Sequence, residues 1–110
     1  IGIGWNISGV PLPQEIVDLM FTISLNRVDN SLSKFLPWTM TLDNARRDVF
    51  RNLCFNMGIT RLLNFTYTLA SAERGMFEEA ANHLKDSDWF NQVGNRGVEL
   101  VEQLRTGQRR

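Results

Sequence analysis

From Pro13 to Phe35 the chain carries no further proline or glycine, so the longest stretch free of helix breakers dominates its first third. Pro11-Leu12-Pro13 opens this stretch, with proline tolerated in a first helical turn and Glu15 placed well for the helix dipole. The apolar positions divide into two stripes: Leu12, Ile16, Leu19, Met20 and Ile23, then Phe21, Leu25, Val28, Leu32 and Phe35. At 100° per residue their centres differ by roughly 150°. Two structures fit that split. One is a break near Thr22-Ile23-Ser24; the other is a continuous helix of ~34 Å that meets different neighbours at its two ends.

Leu36-Pro37-Trp38 ends the helical pattern. Thr41 then reads as the cap of a helix running to about Met57, with Leu42, Ala45, Val49, Phe50, Leu53, Cys54 and Met57 on one face and Gly58 as the stop. Shorter helices are expected at about 60–63, 65–74 and 77–85. A tight Ser87-Asp88-Trp89-Phe90 segment and a last helix at about 95–104 follow. Before all of these, Ile1 to Ser8 alternates apolar and small residues and reads as one edge of a β-hairpin. The fold class expected is mainly α, a compact bundle of short helices following the long one.

With 110 residues, 43% of them hydrophobic, the chain can bury a core of its own. Twelve basic and twelve acidic residues leave no net charge, which argues against a nucleic-acid partner. The Arg46, Arg47, Arg51 cluster reads as a solvated helix face, and Arg105, Arg109 and Arg110 as a frayed tail. One cysteine, Cys54, excludes an internal disulfide and a multi-Cys metal site, and one histidine, His83, excludes His-His metal spacing and argues against a Ser-His-Asp triad. No apolar run reaches the ~18 residues of a membrane span.

The 41–57 helix has a second face that core packing does not explain. Asp48, Asn52, Phe55 and Asn56 recur at helical spacing, with Phe55 roughly 200° around from Leu53. An aromatic ring flanked by amides suits a sugar: the ring covers the apolar face of a pyranose and the amides meet its hydroxyls. The competing reading is that Phe55 packs under another helix or a protein partner.

Three segments, FRNLCFNMGITRLLNF, FEEAANHLKDSDWFNQVGNR and ELVEQLRTG, together resemble the C-terminal lobe of phage-type lysozymes, the muramidases of glycoside hydrolase family 24. IGIGW at the start resembles that family's hairpin strand. The resemblance implies an α+β lysozyme-like fold divided into a hairpin remnant at 1–10, a linking helix region at 11–36 and a helical C-terminal lobe at 37–110. It also implies that Phe55 lines the saccharide cleft, that Thr68 and His83 contact substrate, and that Asn6 does so from the hairpin side. His83 departs from the amide common at its position. Asn52, Asn56 and Arg96 match polar residues near the family's catalytic glutamate, and Arg96 resembles the arginine that pairs with it.

Glycoside hydrolysis needs a protonated carboxyl group at the glycosidic oxygen and a second group that manages the cationic transition state or the water. By the resemblance both precede Ile1, so no catalytic residue is expected in this chain. Asp48 lies over a turn from the Asn52–Asn56 midpoint, Glu78 and Glu79 begin a helix, and Asp86/Asp88 and Glu99/Glu102 read as surface charges. The partner implied is the peptidoglycan glycan strand, cut between N-acetylmuramic acid and N-acetylglucosamine, by a monomer needing no cofactor or metal. The setting implied is a phage or prophage product acting on the bacterial cell wall. A non-catalytic remnant that binds glycan, or keeps only the scaffold, and a helical protein-interaction domain remain as alternatives.

Overall fold

The computed structural model describes residues 14–108, with side chains placed from residue 24 onward. The hairpin strand expected at the start of the chain, and Asn6 with it, lie outside the described residues. Among the described residues every regular element is helical: α1 (Gln14–Phe35), a 3-10 turn (Pro37–Thr41), α2 (Asn44–Met57), α3 (Ile59–Leu62), α4 (Thr66–Glu73), α5 (Phe77–Lys85), α6 (Asp88–Val93) and α7 (Asn95–Thr106).

Of the two structures that fit the first third, the unbroken helix is the one observed. Along its second half Val28, Leu32 and Leu36 are buried at i, i+4, i+8 spacing, and they pack into the core with α2. Phe35, expected on this stripe, is instead 47% exposed, with Lys34 Nζ 5.2 Å from its ring centroid. It is one position, and so about 100°, away from Leu36, which takes the core place.

The 3-10 turn folds back over the end of α1. Thr39 is fully buried because both its amide (3.0 Å) and its hydroxyl (2.7 Å) donate to Leu36 O. Trp38 meets Phe50 edge-on at 5.4 Å between ring centroids. Thr41 closes this turn through its hydroxyl to Trp38 O, 2.8 Å, and therefore does not cap α2. The cap is Asp43, whose carboxylate accepts from Arg46 N at 3.2 Å. Gly58, at φ +83°, ends α2 as expected.

α2 buries Ala45, Val49, Phe50, Leu53 and Cys54 against α1, α3 and α7. α5 lies between α4 and α7, and its Ala80 and Ala81, both wholly buried, let those helices approach closely. Gly97 does the same for α6 and α7: a β-carbon there would lie 3.0 Å from Phe90 Cδ1 and from Val93 Cγ2.

Arg46, Arg51 and Arg105 are placed differently from the solvated face and frayed tail expected of them, while Arg109 and Arg110 lie outside the described residues. Arg46 Nε and Nη2 donate to Leu104 O (2.7 Å) and Arg105 O (2.8 Å), filling carbonyls that the last turn of α7 cannot satisfy itself. Its guanidinium also lies 3.8 Å from the Phe77 ring centroid, and Gln103 Nε2 returns a bond to Ala45 O at 2.6 Å. Arg105 pairs with Glu102 at 2.6 Å and Glu78 at 3.0 Å, which ties α7 to α5. Apart from the local Arg105–Glu102 pair, these bonds have long-range partners, so residue spacing alone could not show them.

Replacing wholly buried Leu53 by alanine is expected to cost about 2–5 kcal/mol in denaturant unfolding, through lost transfer energy and a cavity. A loss below about 1 kcal/mol would show that this face of α2 is not the packed one.

Candidate functional site

With one face of α2 committed to the core, Asn52 and Phe55 are left on its outer side, where Phe55 is 38% exposed. They form one wall of a concavity of about 210 Å³. Leu25 and Val28 of α1 supply an apolar wall, and Arg51 of α2 and Arg96 of α7 stand at its sides. Arg96 Nη2 donates to Asn52 Oδ1 at 2.6 Å, so the start of α7 is joined to the outer face of α2. The close α6–α7 approach at Gly97 holds the neighbouring Arg96 in reach of that amide.

Arg51 gives the concavity its rigid side. Its Nε and Nη2 donate to the two oxygens of Asp29 on α1 at 2.7 and 2.9 Å, and its Nη1 donates to Asp48 Oδ1 at 3.0 Å. A guanidinium fork on a carboxylate is the geometry that fixes two helices in both spacing and orientation. The bond to Asp29 above all holds Arg51 above the usual arginine range; desolvation opposes the rise and the Asp48 bond adds to it. Beneath this pair, burial pushes the Cys54 thiol up, with a further push from the Asp29 charge, so the cysteine is a core residue rather than a nucleophile.

No carboxylate lines this concavity among the described residues. Asp29 and Asp48 are both engaged by Arg51. The arrangement can seat an apolar ring face against Phe55 and offer an amide and a guanidinium to its polar edge. It holds no proton donor of the kind glycoside cleavage requires.

Thr68 and His83 meet elsewhere, in a concavity of about 510 Å³ between the α3–α4 corner and the α5–α6 corner. Thr68 is 3% exposed. His83 Nε2 lies 3.7 Å from Glu79 Oε1, and its ring lies 5.6 Å from that of Tyr67, tilted by 30°. The two concavities share no lining residue, so the side chains expected around one groove fall into two sets. Asn56 is exposed and lines neither. Sequence reasoning missed Tyr67 and the Asp29–Arg51 pair. Tyr67 stands beside Thr68 at a helix start and could have been noticed as a surface aromatic; the ion pair spans two helices and left no local signal.

Among the described residues no group of three His, Cys, Asp or Glu side chains could hold a metal ion, and no helix is long and apolar enough to cross a membrane.

No family model matches the chain. It does align with two curated proteins of Dictyostelium discoideum. "Probable T4-type lysozyme 1" is 35% identical over 66 residues, which cover 60% of this chain and 39% of that protein. "Probable T4-type lysozyme 2" is 28% identical over 86 residues, covering 78% of this chain and 50% of that protein. The chain thus spans half or less of the length of these curated relatives. It is related to the phage-type lysozymes, as its motifs imply.

A double-mutant cycle of Arg51→Met and Asp29→Asn is expected to give a coupling of about 1–2 kcal/mol in urea unfolding, above the median of exposed pairs because both partners are about three quarters buried. A coupling indistinguishable from zero would remove the clamp between α1 and α2 from the account.

Proposed function

We propose that this chain is the glycan-binding helical part of a lysozyme-type peptidoglycan hydrolase, with the cleft wall at Phe55, Asn52 and Arg96. One observation carries the proposal: Phe55 stands exposed beside an apolar pocket whose polar edge is the Arg96–Asn52 pair. A pyranose offers the matching surfaces, an apolar face for the ring and hydroxyls for the amide and guanidinium. The relationship to proteins named as T4-type lysozymes supports the same substrate class. In this reading the intact enzyme cuts the β-1,4 bond between N-acetylmuramic acid and N-acetylglucosamine in the bacterial cell wall. The general acid is brought to the Arg96 side of the pocket from outside the described residues, and Arg96 and Asn52 orient it there. Thr68 and His83 extend the contact surface to the second concavity, Asn6 is a further substrate contact, and Asn56 belongs with Asn52 and Arg96 to the polar residues near the general acid.

Binding without hydrolysis is the behaviour the pocket supports for these residues taken alone, since no carboxylate lines it among the described residues. An NMR titration with chitotriose is expected to perturb Phe55, Asn52 and Arg96 together, and Phe55→Ala to weaken binding by about 1–3 kcal/mol. On purified peptidoglycan the 110-residue chain is expected to release no reducing ends. Turnover at a rate typical of lysozymes, or chitotriose shifts that avoid the Phe55 pocket, would overturn the proposal.

A further inference from the structure

Arg51 brings hydrogen-bond donors to the Phe55 concavity without bringing an unanswered positive charge. A guanidinium carries five N–H groups. Three are committed here, Nε and Nη2 to the two oxygens of Asp29 and Nη1 to Asp48 Oδ1. The second N–H on each of Nη1 and Nη2 has no partner among the described residues. The side chain is 23% exposed and lines the concavity, so these donors are open to a guest. Asn52 beside it is engaged at both ends: Oδ1 accepts from Arg96 Nη2 at 2.6 Å, and Nδ2 donates to Asp48 O at 3.4 Å. On the other side stands an apolar wall, Leu25 and Val28. Leu25 lies one helical turn before Asp29 on α1, so this wall adjoins the carboxylate that anchors Arg51.

Open N–H donors next to an apolar wall suit a neutral acceptor that carries a small apolar group. A carboxylate at Arg51 would meet Asp29 and Asp48 as well as the guanidinium, and their repulsion cancels its gain. A hydroxyl would use the donors and leave the apolar wall unfilled. An acetamido group uses both, its carbonyl accepting from Arg51 and its methyl covering Leu25 and Val28. We propose that Arg51 is a specificity-determining residue, which receives the acetamido carbonyl of an N-acetylated hexosamine whose ring lies on Phe55. The inference rests on reading the Phe55 concavity as a glycan site, and it names the sugar substituent that this site selects.

The test is an NMR titration of the whole chain with chitotriose and with cellotriose, the same β-1,4 chain with a hydroxyl where each acetamido group stands. Chitotriose is expected to bind at least about five-fold more tightly, as one hydrogen bond and one buried methyl imply. It is also expected to shift the Arg51 side-chain N–H signals and the Leu25 and Val28 methyls. Arg51→Met, which keeps an apolar stem and loses the donors, is expected to cut that preference at least about two-fold. Arg51→Lys still offers N–H donors but cannot fork onto Asp29, and is expected to keep more of the preference than Arg51→Met. A mere brace between α1 and α2 would lose it equally in both. Arg105→Met breaks a link between α5 and α7 outside the concavity and is expected to keep the preference in full. N-methylacetamide, the amide group alone, is expected to shift the same Arg51, Leu25 and Val28 signals in the unaltered chain. Equal affinity for the two sugars at Phe55, equal losses in the two Arg51 variants, or N-methylacetamide shifts that avoid Arg51 would overturn the proposal. An N-methylacetamide response at Arg51 with no sugar response at Phe55 would sink the glycan reading and leave the acetamido site standing.

Discussion

The structure depends on the two-sidedness of α2. At 100° per residue a helix cannot bury Val49, Phe50, Leu53 and Cys54 without turning Asn52 and Phe55 outward. The first set is the centre of the core, where α1, α3 and α7 all meet α2. The second set is the centre of the candidate site. Any change that rotates α2 to bury Phe55 must expose Leu53, so packing energy and site geometry are held by the same constraint.

Three arginines convert that packing into a fixed arrangement. Arg46 joins the start of α2 to the end of α7, Arg51 joins its middle to α1, and Arg105 joins α7 to α5. Each meets carbonyls or carboxylates that would otherwise be left for water to satisfy. A chain with balanced charge thus spends much of its basic complement on internal connections rather than on attracting a polyanion. Arg96 differs, because its bond at 2.6 Å is to a neutral amide, Asn52 Oδ1, rather than to a carboxylate or a backbone carbonyl.

Local pattern carried much of this fold. The core face of α2, the stop at Gly58 and the bounds of α5 follow from apolar spacing and from glycine, and all can be read within a few residues. The start of α2 could not be read as well: Thr41 and Asp43 are both good caps, and Thr41 was already engaged in closing the preceding turn. Phe35 and Leu36 are adjacent apolar residues at a helix end, where the choice of which to bury is made by the 3-10 turn that folds over Leu36. Of the candidate site, Phe55 and Asn52 were legible as an aromatic and an amide on a face with no core role. The Arg51–Asp29 pair was not, because ion-pair partners on different helices obey no sequence period. That Thr68 and His83 line a different concavity from Phe55 was equally hidden, since it depends on how separate helices pack.

The central claim is that the outer face of α2 receives a sugar. A crystal structure of the chain with chitotriose tests it most directly. The account predicts a pyranose ring lying over Phe55 at van der Waals distance, about 4 Å, with Asn52 and Arg96 at its polar edge. Sugar bound elsewhere, or a Phe55 covered by protein with the pocket closed, would contradict it.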